Sequence, residues 1–410
     1  MKRFVHAHAT HPDWRMALAL AAAQIEAQRR EPGRASAPTL GWVYFSDHFS
    51  AHAAALLAEL QQRWPGVQWV GASGVGIAAS GIEYFDEPAL VLMLAELPRA
   101  SFRVFSGARP LAGFAAHTAN VHADPSSNDL SELIHDMSQR TRTGYLFGGL
   151  ASARGTAVHI ADAALGGGLS GVAFDQSVAL VSRVTQGCQP IGPTRTITAA
   201  ERNVVMTLDG AGALDCLLRD LGLEGVEPRE ALQTLRQTLV GLSGAMPANG
   251  PPDRAAQRGA FGPDTRVRHL VGLDPGRRGL AIADIAERGS RLAFCTRNVQ
   301  AARRDLMRIC AELREEVEPE ALTADAALAL KGAGGLGPAT APASSGIAGA
   351  VYVSCAGRGG AHFGAPSAEL GIVKHALGDV PLVGFFASGE IAREHLYGYT
   401  GVLTVFTGAP

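Results

Sequence analysis

Cys355, Arg358 and His362 stand close together in VYVSCAGRGGAHFG (351–364), and a second polar group, Ser388 and Glu390, ends VGFFASGEI (383–391). A thiol, a guanidinium, an imidazole and a carboxylate are the components of a nucleophilic site or of a pocket for a charged small molecule. Each cluster follows an apolar run that reads as a buried strand, Val351 to Val353 and Pro381 to Phe386. Such C-terminal strand ends are where α/β folds place ligands. Glycines at 357, 359, 360 and 364 remove the Cβ restraint, so backbone N–H groups of the turn can converge on a ligand. The competing reading is a glycine-rich connection in which Arg358 and Glu390 merely pair.

On the binding reading, Arg358 would hold a carboxylate through a bidentate contact and Glu390 would take an ammonium. Phe385 and Phe386 would pack an apolar part, and Gly148, Gly149 and Gly359 would offer N–H groups beside Cys355, His362 and Ser388. On the enzymatic reading, Cys355 would be a nucleophile and His362 its base, acting on an acyl or amide substrate. A buried, inert cysteine at a strand end is the plainer alternative.

Other constellations are weaker. No window supplies a Gly-x-Ser-x-Gly elbow, and GAGGLG (332–337) is followed by Pro338 and Pro342 where a phosphate-binding helix would have to start. Lys331 precedes its glycines, so there is no Walker motif. His6, His8 and His11 have a spacing that could recruit zinc, and His48 and His52 lie four apart on a helix. Neither group gathers enough further ligands, and no metal or cofactor is expected. Glu83, Asp86 and Glu87 read as an exposed turn, and Cys188 before Pro190 as a structural one.

A chain of 410 residues with 47% apolar content fills two or three domains. Its 36 basic and 38 acidic residues offer nothing to a polyanion, so no nucleic-acid partner is expected. Five cysteines without a short-spaced framework read as thiols of a reducing compartment. No apolar run reaches the roughly 18–20 residues that span a bilayer, so the expected location is cytoplasmic, with no membrane span.

Residues 12–30 read as a helix, giving an N-terminal segment 1–34. Strand 40–46, helix 50–63 and strands 67–72 and 88–97 then give a β-α-β-β order, which recurs at strand 350–355, helix 367–377 and strands 381–386 and 401–407. Residues 148–174 and 271–294 also look alike, sharing Ile-Ala-Asp, and helices at 128–140 and 299–317 join the parts. The inferred class is α+β, with two pseudo-symmetric lobes of mixed β-sheets flanked by helices. A helix is expected at 228–242, a loop at 246–264 and a low-complexity segment at 323–348.

The segments SCAGRG, GFFASGEI and YGYTGVLTVF resemble the C-terminal half of the FIST family, the F-box and intracellular signal transduction domain. GWVYFSD (41–47), WVGASGVGI (69–77), GYLFGGLAS (144–152) and VTQGCQPIGPTRTITAAERNVVMTLDG (184–210) resemble its N-terminal half. The resemblance implies a FIST N-terminal-like domain over 35–210 and a FIST C-terminal-like domain over 211–410. It further implies a sensory module for small ligands such as amino acids, acting through a signalling partner in trans, since no kinase, cyclase or receptor segment is evident. A protein-interaction module, as in F-box relatives, is the remaining alternative.

Overall fold

Residues 5–10 alternate buried Val5, Ala7 and Ala9 with half-buried His6 and His8, and form strand β1 (Val5–Thr10), which the spaced histidines hid in the sequence. Helix α1 (Trp14–Gln28) follows, its N-terminus capped by Asp13, whose carboxylate accepts the Arg15 N–H. The computed structural model describes residues 1–223, 234–245, 261–262, 264–317 and 346–408. The loop expected at 246–264 and the low-complexity segment at 323–348 lie almost wholly outside these residues, as does the start of the helix expected at 228–242.

A first repeat runs β2 (Leu40–Ser46), α2 (Ala53–Arg63), β3 (Gln68–Gly74), the hairpin β4 (Gly76–Ala79) and β5 (Ile82–Phe85), then β6 (Ala89–Ala95). Strand β2 is parallel to β3 and antiparallel to β6. After β7 (Phe102–Phe105), a second repeat has the same order: β8 (Thr118–Ala123), α3 (Leu130–Gln139), β9 (Leu146–Leu150), hairpin β10 (His159–Ala161) and β11 (Ala164–Leu165), and β12 (Leu169–Phe174). Here β8 is parallel to β9 and antiparallel to β12. Strand β13 (Leu180–Gln186) closes this stretch.

Residues Gln186–Ala302 and Tyr397–Tyr399 make a separate compact unit. It contains β14 (Cys188–Pro190), β15 (Arg195–Glu201), β16 (Val204–Leu208), β17 (Ala211–Gly212), α4 (Ala213–Asp220), β18 (Leu239–Ser243), β19 (Arg266–Asp274), β20 (Gly279–Ile282) and β21 (Arg291–Arg297). Strands β15, β16, β20, β19, β18 and β21 pair in that order, and a β18–β21 pairing closes them into a barrel. Ile197, Val205, Leu208, Leu280 and Phe294 fill it, and α4 packs onto the same core with Cys216 and Leu217. Residues 239–242, expected to be helical, are therefore strand. The barrel needs each strand's inward face apolar, and LVGL satisfies a strand as readily as a helix.

Helix α5 (Val299–Val317) precedes a third repeat: β22 (Ile347–Cys355), α6 (Ala368–Leu377), β23 (Leu382–Ala387), hairpin β24 (Glu390–Ala392) and β25 (His395–Tyr397), and β26 (Thr400–Thr407). Strand β22 is parallel to β23 and antiparallel to β26, so 350–407 has the order and directions of 42–97. The protein is α+β, with two compact units and mixed sheets flanked by helices. The likeness of 148–174 to 271–294 is not topological: β9 is a parallel partner of β8, whereas β19 and β20 form an antiparallel hairpin of the barrel. The further copy lies at 118–174.

The three repeats exchange hairpins in a ring. Strand β4 of the first pairs with β23 of the third, β24 of the third with β9 of the second, and β10 of the second with β3 of the first. Each exchange covers a strand edge that would otherwise invite aggregation. One position recurs in all three. Gly71 lies opposite Val43, Gly148 opposite Val121 and Gly384 opposite Tyr352, where a Cβ would meet the facing carbonyl oxygen at 1.7, 1.8 and 1.7 Å. Only glycine lets the parallel strands approach so closely. Between the sheets, Tyr44 stacks on Phe385 at 5.1 Å and meets His122 edge-on, so each repeat contributes a ring to the centre.

Candidate functional site

Strand β22 is buried along its length until Cys355, which is half-buried. The chain then turns through Arg358 to a short 3-10 segment at Gly360–Phe363 and enters α6. Arg358 points inward and is 1% exposed. Its Nε and Nη2 donate to one oxygen of Glu369 at 3.0 and 2.9 Å, and its guanidinium lies over the Phe363 ring. Glu369, fully buried, also accepts the Tyr352 hydroxyl at 2.7 Å and the Ser354 hydroxyl at 3.1 Å. Burial alone would lower the Arg358 pKa, but Glu369, Tyr352 and Glu390 outweigh it and raise it, so the group stays cationic.

Arg358 is thus committed to a closed internal ion pair, which takes it out of the role of carboxylate clamp. The plainer sequence reading had it pair with Glu390, whose charge acts on it electrostatically while Glu369 takes the Nε and Nη2 hydrogen bonds. Its partner Glu369 carried no distinguishing signal: an acidic residue in the first turn of a helix reads as a complement to the helix dipole. Glu83, expected in an exposed turn, is 8% exposed. Delivered by β5 of the first repeat, its carboxylate accepts the N–H groups of Glu369, Leu370 and Gly360 at 3.0, 3.2 and 3.2 Å. It caps the N-terminus of α6, an end that favours negative charge. Burial pushes its pKa up, with the three backbone donors opposing.

Glu390 opens β24 and is fully buried. Its Oε2 accepts the Thr400 N–H at 3.1 Å and the Thr400 hydroxyl at 2.7 Å, while Oε1 is buried without a hydrogen-bond partner. Burial raises its pKa to about 8, against the opposing pull of Thr400, the Arg358 charge and a bond from the Cys355 thiol. Near neutral pH the group is therefore mostly a carboxylic acid, able to donate a proton or to release it to accommodate a cation.

The remaining candidates divide. Gly148 and Gly149 are not in a turn but inside β9, paired with Ile391 and Glu390, and serve close strand approach rather than a ligand. Gly359 is glycine because a Cβ there would lie 1.9 Å from the Phe85 ring. Phe385 belongs to the central ring cluster and Phe386 packs on Phe85 at 4.4 Å, so both are core. Ser388 is exposed and its N–H donates to the Leu150 carbonyl; His362 is half-buried with its ring edge-on to Phe363. The N-terminal histidines do not converge: His6 bonds Ser80, His8 bonds Tyr84 and His11 accepts the Asp13 N–H. Cys188 is in a strand, buried beside Cys295.

The FIST N domain matches residues 39–211 and the FIST C domain residues 213–393. The chain belongs to the FIST family. FIST domains are associated with sensory roles in signal transduction. Similar proteins include an uncharacterized protein of Mycobacterium tuberculosis, 28% identical over 420 residues, and one of Mycobacterium bovis, 28% identical over 421; the alignments cover 97% of each chain. In FIST terms, the first two repeats lie in the FIST N match. The FIST C match takes in Cys355, Arg358 and Glu390 and ends in the β24–β25 turn. Among the described residues no helix is long and apolar enough to cross a membrane.

Proposed function

We propose that this FIST protein is a small-ligand sensor that takes an amino acid, or a similar metabolite with a cationic group, at the strand end where Glu390 and Cys355 meet. The signal passes to a partner in trans, and the free thiols fit work in the cytoplasm. The observation that carries the reading is the unpartnered Oε1 of Glu390. A buried polar atom left unbonded costs about 1–3 kcal/mol, and exceptions of this kind mark places built for another group. A ligand ammonium would satisfy it and ionise the carboxyl. Arg358 acts here as a fixed charge behind the site, which favours the ionised form, and half-buried Cys355 gives the approach from the surface.

A thermal-shift panel of amino acids, each set against the 2-oxo acid that lacks its ammonium, tests this. At least one amino acid should raise the Tm by mass action while its oxo acid does not, and Glu390→Gln should abolish the rise. A panel without any shift would remove the reading.

The thiol–carboxylate contact favours one second reading, a Cys-dependent hydrolase or acyl transferase in which Cys355 attacks and Glu390 or His362 takes its proton. Iodoacetamide labelling against pH separates the two. Labelling of Cys355 that begins only near pH ~8.5, as for free cysteine, and is unchanged by His362→Ala and Glu390→Gln, excludes the enzyme.

A further inference from the structure

At the opposite end of the parallel strands, the first repeat carries a pocket of about 770 Å³ lined by Gln68, Arg99, Phe102, Arg103, Arg109 and Asp162. Three guanidinium groups share it with one carboxylate. That carboxylate is already committed: Asp162 Oδ1 accepts the Trp69 N–H at 2.7 Å, and Oδ2 accepts Gln68 at 2.8 Å and Arg109 at 2.9 Å. Arg99 donates from Nη2 to the Gly66 carbonyl at 2.6 Å, and Arg103 donates to the Leu111 carbonyl at 3.3 Å while lying over the Phe114 ring. Among the described residues neither has an acidic partner. Backbone carbonyls thus orient both forks without neutralising them and leave donors over for an anion.

The repeat shows that this charge is not imposed by the fold. The corresponding crevice of the second repeat lies beside Tyr145 and β13, as the first lies beside Gln68 and β7, and encloses about 400 Å³. Its arginine, Arg183, is neutralised by Glu312 and Glu316. At the same position of the third repeat, His6 bonds Ser80 and Arg3 pairs with Asp379. Arg99 and Arg103 of the first position thus contrast with arginines that have acidic partners at the other two.

We propose that this pocket binds a small phosphorylated molecule of nucleotide size. Guanidinium forks match phosphate oxygens bidentately, and pockets of a few hundred to about 1,000 Å³ suit ligands of that size. Val67, Phe102, Val104 and Pro110 supply an apolar side for the organic part.

Calorimetric titration of the full chain with ADP, inorganic pyrophosphate and adenosine decides the matter. ADP and pyrophosphate should bind, adenosine should not, and affinity should fall as salt rises. The Arg99→Ala/Arg103→Ala double variant should lose at least about tenfold in affinity, because it removes two charge-assisted donors. Its unliganded Tm should stay unchanged, because both side chains are exposed. Absence of binding by both phosphate probes, or equal binding by the double variant, would overturn the proposal. Since none of these residues belongs to the Glu390 site, failure of either proposal leaves the other standing.

Discussion

The same strand-end position occurs three times in this protein, with three different chemistries. Counted from the shared glycine register, Cys355 and Glu390 of the third repeat correspond to Asp124 and His159 of the second and to Ser46 and Ile77 of the first. In the first, Ser46 accepts the Ala89 N–H beside an isoleucine, and nothing polar is left over. In the second, His159 bonds Ser170 at 2.6 Å and the Gly167 carbonyl at 3.1 Å, and Asp124 accepts Gly167 and Ser126. Only in the third does a carboxyl oxygen remain unmet. One backbone solution therefore yields a closed core, a self-satisfied polar cluster and an incomplete one, and function is to be sought where satisfaction fails.

The largest expected effect breaks the equivalence itself. Gly71→Ala, Gly148→Ala and Gly384→Ala each drive a Cβ into a facing carbonyl, and each should cost at least about 3 kcal/mol or prevent folding. Urea unfolding of the three variants checks this, with Gly371→Ala, which has open space in α6, as the control that should be neutral or slightly stabilising. A tolerated substitution at one of the three would show that its repeat is not built like the others.

Next in size is Arg358→Ala. Removing the guanidinium leaves Glu369 buried without its countercharge, which should cost roughly 3–5 kcal/mol. The measurement is again an unfolding midpoint, and a change of only a degree or two would contradict the closed pair. This reverses the expectation for a ligand clamp, whose loss would spare the unliganded protein.

A smaller effect is the pH dependence set by Glu390. With its folded pKa raised to about 8 from the ordinary carboxylate value, the folded chain keeps a proton that the unfolded chain releases. Its stabilising contribution is complete below the unfolded pKa and is lost as pH rises toward 8. Relative to Glu390→Gln, wild type should thus lose several degrees of Tm between pH 5 and pH 8. The corresponding comparison with Ile77→Val should show a gap that does not change with pH, because Ser46 and Ile77 at that position have nothing to titrate.

How much of this was legible in the sequence follows from the range of each interaction. Cys355, Arg358 and Glu390 stood out because each ends an apolar run at a glycine-rich turn, which is a local signal. Their partners depend on which strands pair. Glu83 reaches α6 only because the β4–β5 hairpin leaves its own sheet, and the Ile-Ala-Asp match of 160–162 with 282–284 joined the end of hairpin strand β10 to the end of barrel strand β20 on local resemblance. Phe385 and Phe386 sat beside the polar cluster in sequence, but strand alternation turned one to the centre and the other onto Phe85. The copy at 118–174 was invisible because its strands share topology with the others and little else.

The central claim is that Glu390 ionises when a cationic ligand arrives, and proton release on binding tests it most directly. Titrating the amino acid that gives the largest thermal shift at pH 7, in two buffers of different ionisation enthalpy, should show net proton release on binding. Glu390→Gln should release none. Binding by wild type without proton release would contradict the account.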